Sequence, residues 1–67
     1  MDVSQRLAAK MKTLRAERSW SQEELAHQAG VHRTYVSGVE RCVRNPTITM
    51  VARIAAAFGC TVGELVD

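Results

Sequence analysis

Residues 21–40 read SQEELAHQAGVHRTYVSGVE, and this stretch decides the fold. Ser21 followed three residues later by Glu24 is a helix start signal. The serine hydroxyl accepts from the backbone N–H of residue 24, and the Glu24 carboxylate reaches back, as a capping box requires. Trp20 stands just before the cap, placed to staple onto Leu25. Leu25, Ala26 and Ala29 give a small-residue inner face, and Gly30 supplies the left-handed residue that ends a helix. Val31, Tyr35, Val36 and Val39 then resume helical spacing, with His32, Arg33, Thr34, Ser37 and Arg41 mostly elsewhere around the segment. His32 stands where serine or threonine would cap better. Gly38 costs such a helix about 1 kcal/mol relative to alanine, and an exposed glycine there calls for a reason.

On the N-terminal side, Val3, Leu7, Met11 and Leu14 form one stripe of an amphipathic helix that stops near Ser19. On the C-terminal side, Cys42 to Pro46 is a connection and Thr47 is a new N-cap. Ile48, Val51, Ile54, Ala55 and Phe58 follow at helical spacing until Gly59. Thr61 and Glu64 make a second capping box, opening a last short helix with Val62, Leu65 and Val66. The expectation is an all-α bundle of about five short helices, one domain over residues 1–67. At 67 residues, 46% of them hydrophobic and 24% charged, the chain has globular composition near the lower size limit for a single core.

The gap around Gly30 is short enough to make the second and third helices cross steeply. That is helix-turn-helix geometry, spanning about residues 21–40. In it, one helix crosses the DNA backbone and the next enters the major groove with its N-terminal residues at the base edges. Arginine for guanine and short hydroxyl side chains are the expected chemistry, and Arg33, Thr34 and Ser37 supply it. Net charge is only +2, but Val31 to Pro46 holds three arginines (Arg33, Arg41, Arg44) against one acid, Glu40. A local basic concentration of this kind suits a polyanion. The two cysteines, Cys42 and Cys60, form neither a CxxC pair nor a metal-ligand pattern with histidine. No paired carboxylates, nucleophile–base set or phosphate-binding glycine loop points to an enzyme. No cofactor, metal or small-molecule ligand is implied. No apolar run suits a membrane span, and the opening MDVSQRLAAK lacks the apolar core of a signal peptide. A cytoplasmic protein is expected.

From Leu7 to Leu65 the chain resembles the lambda-repressor-like (Xre-type) helix-turn-helix domains. The matching stretches are Ser21 to Ala26, Ala29-Gly30-Val31, His32 to Ser37, Glu40-Arg41, Arg44 to Thr47, and Phe58 to Leu65. Within that family, His32 to Pro46 looks most like the controller proteins of restriction–modification systems, and it is also similar to phage-type repressors. The resemblance implies double-stranded DNA as the partner. It implies base contacts by Arg33, Thr34 and Ser37. It also implies contacts to the DNA backbone by Gln22, His32, Tyr35, Arg41, Arg44 and Asn45. Tyr35 has a second reading at the edge of the core, and Arg41 as electrostatic support for the helix end. Arg15 and Glu40 match an internal salt bridge. Three residues depart from the pattern: Ser19 and Cys42 stand where glycine is common, and Gly38 where many relatives carry a polar side chain aimed at bases. That glycine allows close approach to DNA or lowers specificity.

The functional expectation is a transcriptional regulator acting as a homodimer on a palindromic operator. The apolar segment of about residues 58–67, with Phe58, Val62, Leu65 and Val66, is the candidate dimer surface; the other reading is that these residues close the monomer core. A different class is an antitoxin-like or protein-interaction module on the same fold. The basic and hydroxyl residues on the third helix count against it.

Overall fold

The computed structural model describes residues 2–67. Its elements are five helices: α1 (Val3–Arg18), α2 (Gln22–Ala29), α3 (Arg33–Glu40), α4 (Ile48–Phe58) and α5 (Val62–Val66). No strand occurs among the described residues.

Side-chain caps start four of the five helices. Asp2, Ser21, Thr47 and Thr61 each accept a hydrogen bond from the backbone N–H three residues on, satisfying one of the donors that a helix leaves open at its first turn. The capping box is complete at Thr61 with Glu64 and at Asp2 with Gln5; the Asp2 box has no counterpart in the sequence reading. At Ser21 only half of the expected box forms, because Glu24 turns its carboxylate to Gln28, 2.9 Å away. α3 alone has no side-chain cap: His32 holds the N-cap position without a hydrogen bond from its ring.

Four helices stop in the same way. The chain turns left-handed just past each: at Ser19 (φ 57°), Gly30 (70°) and Gly59 (73°) directly after the helix, and at Cys42 (60°) one residue further on, after Arg41. In each case that residue's N–H and the next one fold back onto the last turn. For α3, Cys42 N donates to Val39 O and Val43 N to Gly38 O, both at 3.0 Å. This is the Schellman arrangement, which satisfies helix carbonyls that have no partner further along. Ser19 and Cys42 adopt it despite carrying a Cβ, so the backbone stores strain at both.

The core is where these helices converge. Leu7, Met11, Leu25, Val36, Val39, Ile54 and Leu65 are fully enclosed. α2 packs on α3, α1 on α3 and α5, and α4 on α2 and α5. Trp20 stacks on Phe58 at a centroid distance of 5.7 Å, so the residue ahead of α2 is anchored to the end of α4. Arg18 extends the stack and donates to Phe58 O at 2.6 Å. The dimer expectation needs correction here. Phe58 is 4% exposed and Leu65 0%; both are spent on closing the monomer core and offer no surface to a partner. Val62 and Val66 remain half-buried.

The strain at Cys42 yields a direct test. Its thiol makes only a long contact of 3.7 Å to Ser4 O, so little is lost on its removal. Cys42→Gly is expected to stabilise the domain by about 1 kcal/mol. Thermal unfolding would then show a rise of roughly 4–8 °C in a domain of this size. An unchanged or lower Tm would mean that the left-handed position carries no strain worth relieving.

Candidate nucleic-acid interface

α3 is amphipathic in the sense that positions a site. Val36 and Val39 point inward at 0% and 2% exposure. Arg33, Thr34, Ser37 and Arg41 follow one another at steps of one, three and four, which places them on one outward face of the helix. Arg33, Thr34 and Arg41 are exposed, Ser37 is half-buried, and His32 is exposed at the helix start. Arg44 and Asn45, in the loop that follows, are exposed; Arg44 lies against α3 at Gly38, whereas Asn45 Oδ1 accepts from Ser4 Oγ at 3.5 Å, at the start of α1.

The end of α3 is fixed by an ion pair. Arg15 Nε donates to Glu40 Oε2 at 2.7 Å and Arg15 Nη2 to Glu40 Oε1 at 2.8 Å, a bidentate fork. The third nitrogen, Nη1, donates to Trp20 O at 3.0 Å. Gln22 Nε2 adds a hydrogen bond of 2.9 Å to Glu40 Oε1. The ion pair thus ties together α1, the turn after it, the start of α2 and the end of α3. The Glu40 side chain is 1% exposed and that of Arg15 18%. The hydrogen bond that Arg15 donates to Glu40 raises the Arg15 pKa above its ordinary value, against the opposing effect of burial.

Burial of Glu40 changes the electrostatics of the surface. It is the only carboxylate between Gly30 and Glu64, whereas Arg33, Arg41, Arg44 and Arg53 lie in the same span. With the one acid sequestered by Arg15, the exposed side chains of residues 31–63 carry positive charge without an offsetting negative one. Among the described residues, no carboxylate forms an ion pair with these four arginines. Arg53 also donates from Nη1 to Gly30 O at 3.3 Å, tying α4 to the tight turn between α2 and α3.

Two residues, Gly38 and Gln22, sit differently from the sequence expectation, and Tyr35 takes the core-edge reading of its two. Gly38 is buried, not exposed: the stem of Arg44 lies over it, and a Cβ built there would fall 2.9 Å from Arg44 Cγ and Cδ. Gln22 has its amide nitrogen on Glu40 rather than turned outward to a phosphate, because α2 starts beside the buried carboxylate. Tyr35 packs against the core, and its hydroxyl is enclosed without a hydrogen-bond partner. The hydroxyl is thus closed off from solvent, while Tyr35 still lines the cleft shared with His32, Thr34 and Arg44. The residue pattern did not signal the Gln22–Glu40 and Arg53–Gly30 contacts, since each joins groups from separate elements, the second a side chain to a backbone carbonyl.

Both cysteines are free thiols. Burial, aided by Glu64, pushes the Cys60 thiol pKa up. Among the described residues, no group of three or more histidine, cysteine or acidic side chains is arranged to hold a metal ion. Among the described residues, no helix is long and apolar enough to cross a membrane.

A helix-turn-helix family model matches residues 11–65. The chain belongs to the helix-turn-helix family. A hypothetical transcription factor from Neisseria meningitidis is 44% identical over 64 residues, covering 96% of this chain and 60% of that protein. A crystal structure of the Neisseria factor superimposes with a TM-score of 0.94 at 42% identity, over 98% of this chain and 76% of that one. The restriction–modification controller protein C.AhdI from Aeromonas hydrophila superimposes with a TM-score of 0.87 at 34% identity, over 92% of this chain and 94% of that one. The regulator SinR of Bacillus subtilis is 34% identical over 62 residues, covering 91% of this chain and 56% of that protein. SinR solved in complex with DNA gives a TM-score of 0.84 at 34% identity, over 91% of this chain and 98% of that one. The fold is therefore that of controller and repressor proteins, a family of transcriptional regulators.

In this helix-turn-helix domain, Arg15→Ala would strand the Glu40 carboxylate in the interior. The expected cost is about 3–5 kcal/mol, comparable to the whole stability of a domain this small. Far-UV circular dichroism should show most of the helicity lost or a sharply lowered Tm. A variant that stays folded but no longer binds DNA would place Arg15 at the interface and not in the scaffold.

Proposed function

We propose that this chain is a sequence-specific DNA-binding transcriptional regulator, acting as a homodimer on a palindromic operator through the major groove. The observation that carries the reading is the outward face of α3: exposed arginine and short hydroxyl side chains, with the one nearby acid buried and neutralised. Arg33 has the planar fork that matches guanine O6 and N7, and Thr34 and Ser37 have the short reach that suits base edges. His32, Arg41, Arg44 and Asn45 flank that face, where phosphates pass. Gln22 and Tyr35 turn inward in the free protein, and their part is to hold α2 and α3 in register. That a relative, SinR, has been solved in complex with DNA supports the same use of the fold.

The dimer follows from size. A single module of this kind buries only about 600–1,000 Å² on DNA. Two copies on half-sites roughly 34–36 Å apart double the contact and match the symmetry of a palindrome. With Phe58 and Leu65 committed to the core, the second copy meets what the last segment leaves outside. That surface is Val62 and Val66, at the rim of an apolar groove shared with Val3 and the 71% exposed Ile48.

Titration against a pool of random-sequence duplexes at two salt concentrations, with sequencing of the bound fraction, tests this reading. An enriched palindrome with steep salt dependence is expected. Arg33→Ala should then weaken binding to the enriched site by about 1–3 kcal/mol and relax the preference at one base pair in each half-site. Salt-dependent binding without enrichment would reduce the protein to a non-specific DNA binder. Absence of binding at low salt would leave the fold as a protein-interaction module.

A further inference from the structure

Gly38 sits in the interior of an eight-residue helix, the place where glycine weakens a helix most. Its backbone gives no reason for glycine: the glycines with positive φ are Gly30 and Gly59. The reason on view is space. A Cβ at Gly38 would stand 2.9 Å from both Cγ and Cδ of Arg44 and 3.2 Å from its Nε, well inside the 3.5–4.0 Å at which carbon atoms pack. The loop is brought into that position by the end of α3. Cys42 turns left-handed and Val43 N donates back to Gly38 O, so Arg44 begins directly over the glycine it covers.

Gly38 lies four residues after Thr34 and three before Arg41, on the same face of the helix as both. Arg44 therefore fills a slot on the DNA-facing surface that a side chain of α3 would otherwise occupy. Arg44 lines a cleft with His32, Thr34 and Tyr35, and among the described residues no carboxylate pairs with its guanidinium. We propose that Gly38 is a positioning residue: it seats the stem of Arg44 across α3, so that an arginine from the loop is held ready on the DNA-facing surface. This rests on the DNA-binding reading given above. Seating the stem removes much of the freedom of a long, flexible side chain before DNA arrives, and such preorganisation strengthens binding without adding a contact.

The test is a double-mutant cycle on Gly38→Ala and Arg44→Ala. Affinity for one duplex selected from the random pool is read by fluorescence anisotropy across a salt series, and thermal unfolding is read alongside. Alanine is a better helix former than glycine, and the group it meets is a flexible side chain, so Gly38→Ala is expected to keep or raise Tm. Its affinity should fall about five- to tenfold, and its salt slope should drop by about one phosphate contact, as for Arg44→Ala. Added to Arg44→Ala, the same substitution should change affinity less than about twofold. The seat is refuted if Gly38→Ala binds like the unmodified protein. It is equally refuted if the substitution loses the same factor without Arg44, which would mean the added methyl meets DNA directly. A fall in Tm would make the site one of fold packing, and would also refute it. Failure of the unmodified protein to bind any duplex would remove the DNA-binding reading and this proposal together, and is told apart because no substitution is involved.

Discussion

Arg15 and Glu40 lie 25 residues apart in the chain and meet through a two-pronged hydrogen-bonded ion pair. The rest of the architecture depends on it. α3 has eight residues and no side-chain cap, far below the length at which a helix holds itself in water. What holds it is tertiary: Val36 and Val39 in the core, and Glu40 locked to α1 and to the start of α2 through Arg15 and Gln22. A buried ion pair adds little stability compared with an apolar replacement, but its geometry admits few alternatives. Here that geometry sets how α3 leans on its neighbours, and so which of its side chains face outward.

The same pair also shapes the surface field. By taking the local acid into the interior, Arg15 leaves Arg33, Arg41, Arg44 and Arg53 as an undiluted positive surface. Structure and electrostatics are thus joined in one contact. A modest net charge of +2 conceals this, because the other acids of the chain are distributed elsewhere: Glu17 on α1, Glu23 and Glu24 on α2, and Asp2, Glu64 and Asp67 towards the two ends of the sequence. The arginines stand where a polyanion would lie against α3 and the loop beyond it.

Much of the fold was legible because local signals agreed with one another. Ser21, Thr47 and Thr61 announced helix starts, Gly30 and Gly59 announced stops, and the apolar stripes between them had helical spacing. The departures at Ser19 and Cys42 were legible only against the family pattern, which commonly has glycine at both, and the left-handed backbone there explains that glycine. What stayed hidden was the meeting of side chains from separate elements. The half-formed box at Ser21 reflects Glu24 choosing Gln28 over its own backbone. Phe58 and Leu65 carried two readings, dimer surface or monomer core, and their burial assigns both to the core. Gly38 looked like an exposed weakness because nothing in the local pattern says that the loop folds back over it. Tyr35 carried two readings, and the packing of its ring against the core turns the hydroxyl inward.

The central claim is that the outward face of α3 enters the major groove, twice, on a symmetric site. Methylation interference tests it most directly, because dimethyl sulfate modifies guanine at N7 in the major groove and adenine at N3 in the minor groove. Duplexes from the selected pool would be sparsely methylated, bound, separated and cleaved. The account predicts interference at guanine N7 in two clusters related by a dyad, with centres about one helical turn apart. Interference confined to adenine N3, or a single unpaired cluster, would contradict it: the first would put the contact in the minor groove, and the second would leave the protein bound as a single copy.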